Sequence, residues 1–320
     1  MKNVKFLAVI VCMMAVANFA SADTFGTGDN QFTIDFVPIS GSTNPTSGIQ
    51  TSSGYTFTGV NNSYRMGTYE ISNDQWTKFT AAYGTVTGSP STAYDNAPYW
   101  TGMNLPTTGT SWYEAAQFVN WLNISTGHQA AYKFTGTQGQ SDYTFTTWDV
   151  SDTGYNAGNP YRNSNAFYFL PTQDEWVKAA YWNGASLQTY ATKAGESLTQ
   201  GNGTNGAGWN YATSQPWDVG SGSQELNGTY DMMGNVWEWN ETLLLNVSRS
   251  VRGGAYYYPY YENANYFMSS AMCVQDPYDE KDGLGFRVAS VPEPTTLLLL
   301  GLGGVAIRKA KGNLNRKNTR

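Results

Sequence analysis

The chain has 320 residues with 18 basic and 24 acidic side chains, one histidine, two cysteines and a formal charge of −6. A single histidine excludes a site built from several imidazoles, and two cysteines exclude a thiolate cluster. An acidic balance argues against nucleic acid and anionic lipid as partners.

Lys2 and Lys5 precede an apolar run over residues 6–17, and Ala20-Ser21-Ala22 has the small-x-small form that signal peptidase reads. Residues 1–22 are expected to be a signal peptide and the protein to be exported. Cys12 leaves with that segment, so Cys273 is the only thiol of the mature chain and no intramolecular disulfide is open to it. Cys273 reads as a small buried hydrophobe and His128 as a surface residue.

Within residues 31–38, Phe32, Ile34 and Phe36 alternate with polar residues and predict a strand. Residues 40–53 form a Gly/Ser/Thr/Asn linker. A short strand is expected over 64–70, followed by a helix capped by Ser72 with Trp76, Phe79 and Ala82 on its apolar face.

Ser111 stands three residues before Glu114, a capping-box spacing, and Ala115, Phe118, Val119 and Leu122 fall at i, i+3, i+4 and i+7. A helix packed on one face is expected there. Residues 136–165 read as an inserted loop. Thr172 and Glu175 repeat the capping box after a short apolar strand at 167–170, opening a helix through Trp176, Ala179 and Ala180. Glu70, Glu114, Asp174 and Glu175 read as helix-cap and surface residues.

Residues 184–228 are rich in glycine and asparagine and predict little regular structure, with Trp209 and Trp217 pinning them. Strands are expected over 247–258, where Gly253-Gly254 allows close backbone approach, and over 283–290.

The densest chemistry lies in Tyr230-Asp231-Met232-Met233-Gly234-Asn235-Val236-Trp237-Glu238-Trp239. Gly234-Asn235 marks a tight turn that tolerates positive φ. Asp231 and Glu238 lie across it, either as a clamp for a hard cation with backbone carbonyls between them or as a solvated pair beside a tryptophan-anchored turn.

At the far end, Val291-Pro292-Glu293-Pro294 precedes an apolar run over 295–307, shorter than the roughly 20 residues of a spanning helix. Arg308, Lys309, Lys311, Arg316, Lys317 and Arg320 follow with no acid among them. Pro-Glu-Pro, a short apolar segment and a basic end resemble the PEP-CTERM sorting tail of Gram-negative bacteria. That resemblance implies recognition by an exosortase, transient inner-membrane anchoring, removal of residues 291–320 and delivery to the cell surface or an exopolysaccharide matrix. Without both ends, residues 23–290 carry 10 basic and 23 acidic residues, so the body is about 13 units negative and suited to cations.

Six blocks resemble one family in order: residues 66–73, 110–122, 170–176, 231–239, Val251-Arg252-Gly253-Gly254-Ala255 and Gly285-Phe286-Arg287-Val288-Ala289. The family is that of the sulfatase-modifying factors, whose founding activity is formylglycine generation. The resemblance spans about residues 31–290. It implies a single α+β domain, irregular and loop-rich, of the formylglycine-generating-enzyme type and related to C-type lectin-like folds.

It also implies a structural Ca²⁺ held by the side chains of Asp231 and Glu238 and the backbone carbonyls of Gly234 and Val236. The family's copper chemistry needs two cysteines, a soft-ligand pair, at positions that fall on Tyr258 and Asn263. Ala255 replaces the serine of the Arg-Gly-Gly-Ser block, and no copper is expected. An iron-dependent branch that uses several histidines is excluded by His128 standing alone.

The resulting expectation is an exported, non-catalytic, calcium-stabilised binding or scaffold protein of the envelope or matrix. Tyr256, Tyr257, Tyr258, Tyr260 and Tyr261 would present flat amphipathic faces to a glycan or an envelope protein. The alternative is a formylglycine-generating oxidase acting on sulfatase cysteines.

Overall fold

The computed structural model describes residues 21–45, 56–198, 214–257 and 264–292. In chain order the elements are β1 (Ser21–Phe25), β2 (Phe32–Ile39), β3 (Tyr64–Gly67), α1 (Asn73–Tyr83), α2 (Trp112–Ser125), β4 (Lys133–Thr135) and β5 (Thr144–Thr146). They continue with β6 (Tyr168–Phe169), α3 (Gln173–Tyr181), β7 (Trp237–Leu244), β8 (Ser248–Arg252), β9 (Cys273–Gln275), β10 (Leu284–Gly285) and β11 (Ala289–Ser290).

An antiparallel sheet runs β1-β2-β3-β11-β6, a second runs β10-β7-β8-β9 with β10 parallel to β7, and β4 pairs with β5 alone. The last strand in sequence thus lies inside the first sheet, between β3 and β6. The predicted terminal strand over 283–290 is two two-residue strands in different sheets. The backbone between them turns inward to bury Phe286 and Arg287 fully. β1 begins at Ser21, so two residues of the expected leader pair with β2, Ser21 opposite Phe36 and Ala22 opposite Asp35.

All three α-helices among the described residues start on complete capping boxes, because a short hydroxyl accepts the N3 amide while the N3 side chain returns to the cap amide. The pairs are Ser72 with Gln75, Ser111 with Glu114, and Thr172 with Glu175. Sequence spacing predicts α2 packed on one face. Instead, Trp112 and every residue from Glu114 to Asn120 are buried, and all nine residues of α3 are buried. Both helices are wrapped by loops on the sides that a periodicity argument assigns to solvent. Glu114, Asp174 and Glu175 are therefore buried as well as placed at caps, which corrects their reading as surface residues.

One core cluster joins the aromatic faces of α1 and α2 to β1 and β2, with Phe118 against Trp76, Phe79 and Phe286. The other joins α3 to β3, Met232 and Met233. The turn before β7 lies at the second cluster's edge.

Candidate functional site

The turn at 230–239 is folded as the sequence predicts. Asp231, Gly234 and Asn235 all take positive φ, at 60°, 100° and 56°. Glycine reaches that region freely and Asp and Asn tolerate it. Gly234 N donates to Gly253 O at 2.8 Å and Tyr256 N donates to Asn235 O at 2.8 Å, so the turn lies alongside the Gly-Gly segment after β8.

The two carboxylates of the turn lie in a buried polar knot, not in solvent. Asp231 accepts from Trp217 Nε1 at 3.0 Å and from Gly220 N at 2.6 Å. Glu238 accepts from Trp176 Nε1 at 2.7 Å, from Arg287 Nε at 2.6 Å and from Arg287 Nη2 at 2.5 Å. Both partners of the Arg287–Glu238 pair have side chains 0% exposed. Arg287 also donates to the carbonyls of Gly67 and Tyr230, so one guanidinium ties the turn to β3 and β7.

Glu70 is the residue that sequence reasoning missed. It is 1% exposed, and its Oε2 accepts from Asn235 Nδ2 at 2.7 Å while its Oε1 has no partner. Burial, then the charges of Asp231 and Glu238, pushes its pKa well above the carboxylate range. Glu225 accepts from the amides of Met232 and Met233, and burial pushes it up to about 8. Asp231 is raised too, chiefly by burial. Four buried carboxylates thus face one arginine, whose own pKa is raised mainly by Glu238 against the cost of its burial. The signal for this lay in Gly285-Phe286-Arg287, where a charged residue interrupts an apolar run.

The expected calcium ligands fit a cation in part of their inventory. A carboxylate offers about four lone-pair sites. Two hydrogen bonds reach Asp231 and three reach Glu238, leaving acceptor capacity on each beside the orphaned Glu70 oxygen. Among the described residues, no group of three or more His, Cys, Asp or Glu side chains is arranged to hold a metal ion. A cation here would rest on two carboxylates and on backbone oxygens such as those of Gly234 and Val236.

The segment that follows β8 has a different character. Gly253 and Gly254 take φ of 100° and 80°, and Ala255 is fully buried. Tyr256 is buried, donates to Asp282 Oδ2 at 3.1 Å and packs edge-on to Trp100 and Tyr257. Tyr258, Tyr260, Tyr261 and Asn263 lie outside the described residues. The aromatic row instead extends to Trp100 and Tyr99, the latter 54% exposed, in the loop before α2. Trp100 Nε1 donates to Asp282 O at 2.9 Å, a contact 182 residues away in sequence. Cys273, in β9, is half-buried, and burial raises its thiol pKa.

Residues 49–291 match the model of the sulfatase-modifying factor enzyme 1-like domain. The chain belongs to that family. Residues 290–310 match the PEP-CTERM protein-sorting motif, which marks an exported, exosortase-sorted protein of a Gram-negative bacterium. A comparison with curated proteins gave no significant match. Among solved structures, the variable protein 1 of Treponema denticola is similar at 20% identity and TM-score 0.59, covering 85% of this chain and 99% of its own. CarF is similar at 21% identity and TM-score 0.58, with 81% and 99% covered. PvdO of Pseudomonas aeruginosa follows at 17% and 0.52, with 85% and 92% covered. At these identities the likeness carries the fold, the irregular α+β domain of the sulfatase-modifying-factor type.

Proposed function

We propose that this sulfatase-modifying-factor domain is a non-catalytic binding or scaffold protein, stabilised by calcium and displayed on the cell surface or in the extracellular matrix. The observation that carries the reading is the thiol inventory. Cys273 is the only cysteine beyond the leader, so the pair of soft ligands that copper oxidation of a substrate cysteine requires has no counterpart. Ala255 adds no polar group where the family pattern has a hydroxyl.

Calcium would draw on Asp231 and Glu238 and on the carbonyls of Gly234 and Val236. When bound, it supplies positive charge to a knot with four carboxylates and one arginine. Supporting this are the orphaned Glu70 oxygen and the raised pKa values of Glu70, Glu225 and Asp231. The aromatic row of exposed Tyr99 and half-buried Trp100 and Tyr257 is the surface for a glycan or an envelope protein, because flat amphipathic rings stack at little entropic cost. An exosortase is the processing partner.

A glycan array and a pull-down from native envelope test the binding role. Specific hits that weaken in Tyr99→Ala are expected, and no hit in either experiment overturns it. The second reading, a formylglycine-generating oxidase acting on sulfatase cysteines, is favoured by family membership over residues 49–291. It requires a cysteine-to-aldehyde conversion by a chain with one mature thiol.

A further inference from the structure

Lys178, on α3, is buried, and none of the ion pairs among the described residues includes it. Its Nζ donates instead to Val60 O at 2.9 Å and to Asn44 Oδ1 at 2.5 Å. The Asn44 amide is fixed from the other side, since Nδ2 donates to Gly41 O at 3.2 Å and to Asn61 Oδ1 at 3.1 Å. Asp174 stands one turn before Lys178 on the same face of α3 and accepts from Thr58 N at 3.0 Å and from Thr58 Oγ1. A buried amine and a side-chain amide thus meet where the segment around residue 44 packs on α3.

We propose that Lys178 and Asn44 join in an intramolecular isopeptide bond, formed without an enzyme once the domain has folded. The neutral Nζ attacks Asn44 Cγ, the Nζ–Cγ bond forms and the Cγ–Nδ2 bond breaks. Nδ2 leaves as ammonia, taking up the proton that Nζ loses. Atoms balance with no oxidant, reductant or further reactant.

Burial lowers the pKa of Lys178 and so favours the uncharged, nucleophilic amine. Pro45 follows Asn44 and has no backbone N–H, so Asn44 cannot lose ammonia by cyclising onto the next residue. The bond would span 134 residues. In an exported chain with one mature cysteine it does what a disulfide does elsewhere, constraining the unfolded ensemble through a long closed loop.

The test is the intact mass of the denatured, processed protein, with fragment sequencing of its tryptic peptides. The expected mass is lower than that of the sequence by one ammonia, with the Lys178 peptide joined to the Asn44 peptide and the protein running fast on a denaturing gel. Asn44→Ala and Lys178→Arg should return to their sequence masses, and Asn44→Asp should lose one water instead. The full sequence mass in the wild-type protein overturns the proposal. So does an ammonia loss located elsewhere, with Lys178 and Asn44 in separate peptides.

Discussion

The turn at residues 230–239 and the segment at 255–273 start side by side at one end of the β7–β8 hairpin, yet they obey different constraints. In the turn every charged group is buried and answered: Asp231 by Trp217 and Gly220, Glu238 by Trp176 and Arg287. Changing one member strands another in a low-dielectric interior, so the set changes together or not at all. In the second segment, Ala255 offers only a methyl group, Tyr256 donates from its amide to Asn235 O and from its hydroxyl to Asp282, and Cys273 stands without a second thiol. The described residues of that segment carry no formal charge, so an exchange there strands no buried counter-ion.

Breaking the turn should cost most. Glu238→Gln leaves Arg287 buried without its counter-charge and is expected to lower unfolding stability by about 3–5 kcal/mol, read from the urea midpoint. A stability equal to wild type would mean the knot is not what holds the turn.

Calcium sharpens the same side of the comparison. A ligand bound only by the folded state adds RT ln(1 + [L]/Kd), about 2.7 kcal/mol at a hundredfold excess over Kd. Chelation should therefore lower the melting temperature, and an unchanged melt removes calcium from the account.

Without calcium, the pH profile reports the excess of buried carboxylates. Glu225 has a folded pKa of about 8 against an ordinary 4.5, so its stabilising contribution is complete below 4.5 and is lost as pH rises through about 8. Glu70 acts in the same direction. Chelated protein is thus expected to be less stable at pH 8 than at pH 5. Glu225→Gln should flatten that slope, and stability rising across the window contradicts the assignment.

The smallest effect lies away from both regions. Ser111→Ala removes one cap from α2 and should cost about 1 kcal/mol.

The local grammar of this fold was legible in the chain. The caps at Ser72, Ser111 and Thr172, the strand at Phe32–Ile39 and the turn at Gly234-Asn235 follow from short-range rules and stand as expected. What was not legible depends on partners far apart. Glu70 meets Asn235 across 165 residues, and nothing near it in sequence announces burial. Arg287 is named by its family block, but its role in binding Glu238 appears only when β10 and β7 pair in parallel. The tyrosine run suggested a binding face, whereas Trp100 and Tyr99, which extend it, come from a loop with no periodicity to mark it.

The central claim, that this family member keeps the scaffold and not the reaction, is tested most directly by incubating the purified domain with Cu(I), O₂ and a Cys-x-Pro-x-Arg peptide. The account predicts that the peptide thiol persists and no aldehyde forms. Conversion of the cysteine to an aldehyde at a rate above the protein-free control would contradict it.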